Sequence, residues 1–274
     1  MKFLRKNVLS LAVGLALVGI GSAQATTITN SAGSFSNWGG FDWAANGTAV
    51  VVGFNPFSTT TSTFDLTYWA NAAQLLNTAG QGGFGSGFAI ANAGILGGAY
   101  EYTIRVKLNE TSTCLTFTTF CQTASFSVNS GSFEIFYSTT INANQVTGAG
   151  ITDGTLLLAG TILAQAGGGF DVIAGGNATL QSTVDFTNNT FINPNLSSST
   201  ASTTLQIGSN VTSWLAPTSL PGDGGGTVVL PANSILLQAD ANQAFNAIPE
   251  PGTIALAGLA LLGLGLSRRA AKRV

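Results

Sequence analysis

Two cysteines and eleven carboxylates are the side chains through which this chain could do acid–base or covalent chemistry, because histidine is absent from all 274 positions. That absence excludes Ser-His-Asp and Cys-His catalysis, His-based zinc chemistry and haem ligation through His. Acids alone leave open glycoside hydrolysis, which needs two carboxyls about 5 to 9.5 Å apart. Ten acids fall between residues 26 and 249: Asp42, Asp65, Glu101, Glu110, Glu134, Asp153, Asp171, Asp185, Asp223 and Asp240. They are scattered singly among polar residues, so the sequence nominates no pair, and solvated surface charge is their plain reading. No catalytic residue, metal site or cofactor is expected.

Cys114 and Cys121 bracket the segment CLTFTTFC. The spacing is not C-x-x-C, and a zinc site would lack nitrogen ligands, so neither a redox nor a metal role follows. A separation of seven is odd and puts the two side chains on opposite faces of a straight strand, so the segment must fold back for them to pair. The cross-link would then add roughly 2 to 3 kcal/mol in the chain-entropy picture.

Two Gly-rich stretches suggest further sites. GGFGSGF at 82–88 contains G-x-G, yet no β-α-β pattern or phosphate-binding Lys follows it. AGGGFDVIAGGN at 166–177 resembles one unit of a calcium-binding repeat around Asp171, but Ala178 and Leu180 break the second unit, and such sites need several stacked units. A Gly-rich hairpin turn is the better reading.

The elements that would carry these residues are strands. YEYTIRVKLN alternates Tyr100, Tyr102, Ile104, Val106 and Leu108 against Glu101, Thr103, Arg105, Lys107 and Asn109, one face for a core and one for water. ATLQSTVDFT alternates Leu180, Val184 and Phe186 against Gln181, Thr183, Asp185 and Thr187. Further strands are expected at 48–54, 63–69, 124–128, 132–139, 155–163, 202–208 and 234–239, with turns at Asn129-Ser130-Gly131 and Asp153-Gly154. A short helix is the alternative for 67–80. The Ser/Thr runs at 58–64 and 196–204 and the Pro/Gly-rich segment 219–231 read as surface loops. Roughly 220 residues suffice for one core, so the expectation is a single all-β domain over 26–247, a β-sandwich or jelly roll.

Charge is concentrated at the two ends. Seven of nine cations, Lys2, Arg5, Lys6, Arg268, Arg269, Lys272 and Arg273, lie there, whereas 26–249 holds Arg105 and Lys107 against ten acids, a net of −8. A body without a basic stripe cannot neutralise phosphates, which argues against a nucleic-acid partner. Residues 1–25 read as a secretory signal peptide for the Sec route: a basic start, an apolar run from Val8 to Ile20, and a small-x-small cleavage signal at Ala23-Gln24-Ala25. Export would place the cysteines in an oxidising compartment.

At the other end, Gly252 to Leu266 is a run of fifteen uncharged residues. It would be about 22 Å long as a helix, against a hydrocarbon core near 30 Å. That length suits a temporary stop, with Arg268 and Arg269 held on the cytoplasmic side. Pro249 and Pro251 keep the preceding chain extended and open to a processing enzyme.

The segment 248–274, with Pro249-Glu250-Pro251-Gly252, the apolar run and the Arg-rich tail, resembles the PEP-CTERM sorting signal of Gram-negative bacteria that make exopolysaccharide. The resemblance implies export, transient retention in the inner membrane, recognition of Pro249, Glu250 and Pro251 by an exosortase, and release to the cell surface or matrix. The stretches EYTIRVKLNETS, FSVNSGSFEIFY and GITDGTLLLAGTI are similar to flocculation-associated members of that group. They imply a non-enzymatic role in holding cells and exopolysaccharide together in flocs or biofilm, with a secreted carbohydrate-active enzyme as the rival. Tyr and Trp faces are candidate platforms for sugars, with Trp38, Trp43, Trp69 and Trp214 named, although core packing competes for each.

Overall fold

The computed structural model describes residues 26–78, 100–208 and 214–246. The signal peptide expected at 1–25 and the sorting segment with its apolar helix expected at 248–274 lie outside them. The described chain is β throughout: β1 (Thr27–Asn30), β2 (Gly33–Ser36), β3 (Trp38–Trp43), β4 (Gly47–Val52), β5 (Thr61–Asn77), β6 (Glu101–Phe117), β7 (Cys121–Ser138) and β8 (Thr155–Ile162). There follow β9 (Gln165–Asp171), β10 (Gly175–Thr187), β11 (Ile192–Asn193), β12 (Thr200–Ile207), β13 (Ser219–Pro221), β14 (Thr227–Val229) and β15 (Ile235–Asn246).

Ten of these strands form one antiparallel sheet that closes on itself. β3 and β4 lie end to end between β5 and β15, and β8 and β9 lie end to end between β7 and β10. The neighbours then run β5, β6, β7, β8 with β9, β10, β12 and β15, and β15 returns to β3 and β4. Each stave pairs with the next in sequence, which is an up-and-down barrel of eight staves. The all-β expectation therefore holds, but the sandwich or jelly roll is replaced by one closed sheet. The physical reason lies in β5, β6 and β7, strands of 17, 17 and 18 residues, long enough to tilt and coil around a shared interior rather than stack as two layers.

The interior is apolar because period-two alternation is kept around the ring. Tyr102, Ile104, Val106 and Leu108 of β6 face inward with Leu66 and Tyr68 of β5, Phe133 and Ile135 of β7, Val184 of β10 and Leu205 of β12, all buried. One end is filled by rings: Phe41 stacks on Trp43 at 4.9 Å and meets Trp38 and Tyr102 at 5.2 Å, while Trp38 packs on Phe245 at 5.4 Å. Each such side chain contributes roughly 1.5 to 3 kcal/mol of transfer free energy. The short sheet β11-β1-β2 belongs to that end, where Ser31 N–H donates to the Tyr137 hydroxyl and Asn30 donates to that of Tyr102.

Several local expectations are corrected. Asn129-Ser130-Gly131 is no turn: β7 runs through it, with a register shift between Asn109 and Glu110 on its β6 partner absorbing Asn129. Gly131 fits there because a Cβ would come 2.6 Å from Leu108 Cδ2. In β10 a bulge after Val184 reverses the face, so Phe186 is exposed and Thr187 buried, opposite to strict alternation. Residues 67–77 are strand, not helix, since Tyr68, Ala70, Ala72 and Leu75 pack inside. The Ser/Thr runs supply strand as well, 61–64 in β5 and 200–204 in β12.

Candidate functional site

The outer face of β5, β6 and β7 carries a polar spine that clamps two long connections. Glu101 accepts the N–H groups of Asn142 and Ala143 and the side-chain amide of Asn71, whose own oxygen takes Gln145 Nε2 at 2.7 Å. Burial raises the Glu101 pKa, and these hydrogen bonds partly offset it. Trp69 is buried on the same face and donates to the Gln145 carbonyl at 3.0 Å, packed with Val50 and Ile151. Arg105 binds Glu134 at 2.6 Å and Asp223 at 2.7 Å and donates to the Gly222 carbonyl. The Pro/Gly-rich segment is thus a hairpin, β13 with β14 around a 3-10 turn at Asp223–Gly225, rather than a free loop.

The acids are not idle surface charge. Asp42 is bonded by Gln74, Asp65 by Asn109, Asp153 by Asn142 and Asp185 by Thr161 and Thr183. Asp171 accepts the N–H groups of Ile173 and Ala174, which lowers its pKa and makes the turn between β9 and β10, as the Gly-rich hairpin reading expected. Asp240 is raised by burial first and then by the charge of Asp42, while the Ala241 N–H pulls the other way.

Glu110 is the exception. It continues the inward face of β6 one step beyond Leu108, opposite Phe64 on β5 and Val128 on β7, with 4 % of its surface exposed. Among the described residues no hydrogen bond or ion pair reaches its carboxyl, and burial alone pushes its pKa up to about 7. It lines a cavity of about 70 Å³ at the end of the barrel opposite the aromatic plug. Walls come from around the ring, including Val51, Phe64, Phe126, Leu205 and Leu237. The alternation that sequence reading stopped at Asn109 contained this signal, because an acid on the apolar phase of a strand is where a buried carboxyl would sit.

Cys114 and Cys121 are joined by a disulfide at the hairpin between β6 and β7, with Cα atoms 5.7 Å apart. The hairpin stands at the same end as Glu110. Its Cys121 N–H bonds the Pro56 carbonyl and its Cys114 N–H the Thr60 carbonyl, docking the connection from β4 to β5. Core packing, not a sugar platform, takes the aromatic candidates: all four tyrosines and Trp38, Trp43 and Trp69 are buried, and Trp214 is half-buried and donates to Thr48 Oγ1 at 3.2 Å. What faces solvent is a hydroxyl- and amide-lined groove across β6, β7, β9 and β10, with Thr111, Thr113, Ser125, Ser127, Asn177 and Thr179. The processing candidates Ala23, Ala25, Pro249, Glu250, Pro251, Arg268 and Arg269 lie outside the described residues.

The described residues thus form an all-β barrel, and seven of the nine cations of the chain lie at its sequence ends. Residues 247–269 match the PEP-CTERM protein-sorting motif. The motif marks an exported surface protein targeted to an exosortase, with transient membrane anchoring before surface or extracellular placement. No curated protein and no solved structure matches the chain.

Proposed function

We propose that the processed barrel is a non-enzymatic surface or matrix protein that supports floc or biofilm formation, as flocculation-associated members of the sorting group would, with exopolysaccharide as its partner. The observation that carries this reading is the sorting motif at 247–269, in a chain whose described acids, Glu110 and Asp240 apart, are tied into hydrogen bonds. An acid engaged in holding a loop or a turn is poorly placed to protonate a glycosidic oxygen. Glycan contact falls to the hydroxyl and amide groove of Thr111, Ser125, Ser127 and Asn177, by hydrogen bonding rather than ring stacking. Export runs by the Sec route with cleavage after Ala25, and exosortase acts at Pro249-Glu250-Pro251.

The test compares a deletion strain with its parent and incubates the purified secreted protein with the host's own exopolysaccharide. Loss of flocs on deletion, with binding and no release of shorter glycans, is the expected result. Turnover of the polymer would overturn it in favour of a carbohydrate-active enzyme using a carboxylate pair. The C-terminal mass of the secreted form checks the processing, which predicts loss of Arg268 and Arg269.

A further inference from the structure

We propose that the open end of the barrel binds a small apolar molecule carrying a cationic nitrogen, its carbon skeleton among Leu108, Phe126, Leu205 and Leu237 and its nitrogen against the Glu110 carboxylate.

Three observations converge on this. The cavity is walled by apolar side chains from β4 round to β15, the mouth position in which eight-stave barrels hold single small ligands. Its volume of about 70 Å³ compares with the ~10–15 Å³ one water needs, which suits a chain of roughly four to six carbons. Phe54 meets Phe64 at 5.7 Å and Phe64 meets Phe126 at 5.6 Å, so a row of ring edges leads inward from the loop after β4.

Glu110 then sets the chemistry of the partner. Among the described residues that line the cavity it is the only titratable group, and the Asn177 side chain belongs to the outer phase of β10. Among the described residues no cation reaches it: Arg105 is engaged with Glu134 and Asp223 on the outer face, and Lys107 projects outward and is exposed. An acid facing an apolar cavity, in a body of net charge −8, finds no counter-charge among the described residues, and a ligand nitrogen would supply one. Exposed Leu115 and Phe117 at the end of β6, with Phe57, Val172 and Ile173 on the neighbouring loops, favour the approach of an apolar molecule.

Because a cationic ligand selects ionised Glu110, its affinity must rise with pH, whereas a carboxylic acid, whose carboxylate is repelled by ionised Glu110, must weaken. The experiment titrates the secreted protein with n-hexylamine, hexanoic acid and 1-hexanol by calorimetry at pH 5.5 and 8.5, in wild type and Glu110→Gln. The expected result is hexylamine binding that tightens roughly 30-fold between the two pH values and falls at least about tenfold in Glu110→Gln, whose circular dichroism is unchanged and whose unfolding stays cooperative. Hexylamine binding that ignores pH or the substitution, stronger binding of hexanoic acid or hexanol, or no binding of hexylamine at either pH overturns the proposal. It stands apart from the matrix role, which none of these outcomes touches.

Discussion

Arg105 reaches Asp223 at 2.7 Å from the wall of the barrel, and the same guanidinium holds Glu134 through Nε at 2.9 Å and Nη2 at 2.6 Å. Arg105 is 5 % exposed, so its charge is desolvated and depends on these partners and the Gly222 carbonyl. One side chain therefore fastens the β13–β14 hairpin to the β6–β7 wall.

Replacing Arg105 with Met should cost roughly 2 to 4 kcal/mol in urea unfolding, because Glu134 and the Gly222 carbonyl lose a charged donor in a covered place. Asp223→Asn should cost far less at neutral pH, since that carboxylate is largely in water. Its pKa is lowered by the hydrogen bond from Arg105 first and by that charge second. The stabilisation it gives is thus present above the ordinary carboxylate range and lost as pH falls through the lowered value. Asp223→Asn should flatten that acid limb, and an unchanged limb would contradict the pairing.

Glu110 should impose the opposite dependence. Its pKa rises from 4.5 to about 7 on folding, so its contribution to stability is most favourable below 4.5, falls between 4.5 and 7 as only the unfolded chain ionises, and levels off above. The full loss is about 3 kcal/mol by linkage. Glu110→Gln should remove the slope and raise the melting temperature at pH 8, read by thermal scans from pH 4 to 9 without ligand.

Much of this was written in the alternation, and what was not has identifiable causes. The inward phase of β6 was legible from Tyr102 to Leu108 because each inward residue is apolar; Glu110 broke the pattern by type while keeping it by position. Strict alternation puts Phe186 inward, because a bulge leaves no compositional trace and one extra residue turns a strand over. Asn129-Ser130-Gly131 carries turn residues, yet Gly131 serves close packing against Leu108 rather than a reversal. Closure into a ring depends on β15 meeting both β12 and β3, pairings between distant segments that no local window contains. The burial of Trp38 and Trp43 follows from that closure, and that of Trp69 from the connection that lays Gln145 and Ile151 over the outer face.

Gly160 on β8 tests the packing of the ring. A Cβ there would strike the Thr183 carbonyl and the Phe133 ring, both fixed in the wall. Gly160→Ala should cost about 1 to 3 kcal/mol through displacement of Phe133. Gly224 makes the contrast: nothing lies within 4 Å of a Cβ there, but its φ is +61°, so Gly224→Ala should cost only about 1 to 2 kcal/mol of backbone strain. Differential unfolding of the two variants, with near-ultraviolet dichroism reporting the aromatic plug, should show a change in the plug for Gly160→Ala alone.

The disulfide should act locally. Cys114 and Cys121 close a short loop, for which the chain-entropy picture gives roughly 2 to 3 kcal/mol. The hairpin it fixes also receives the β4–β5 connection, through the bonds of Cys121 N–H to Pro56 and Cys114 N–H to Thr60. A Cys114→Ser, Cys121→Ser double variant should therefore lose about that much global stability and show faster amide exchange at 114 and 121. Protection at Phe133 and Ile135, deep in the wall, should fall only by the global amount. If exchange at the hairpin changed no more than at Ile135, the cross-link would be stabilising the whole barrel uniformly through the unfolded chain, and the local docking of the loop would contribute nothing of its own.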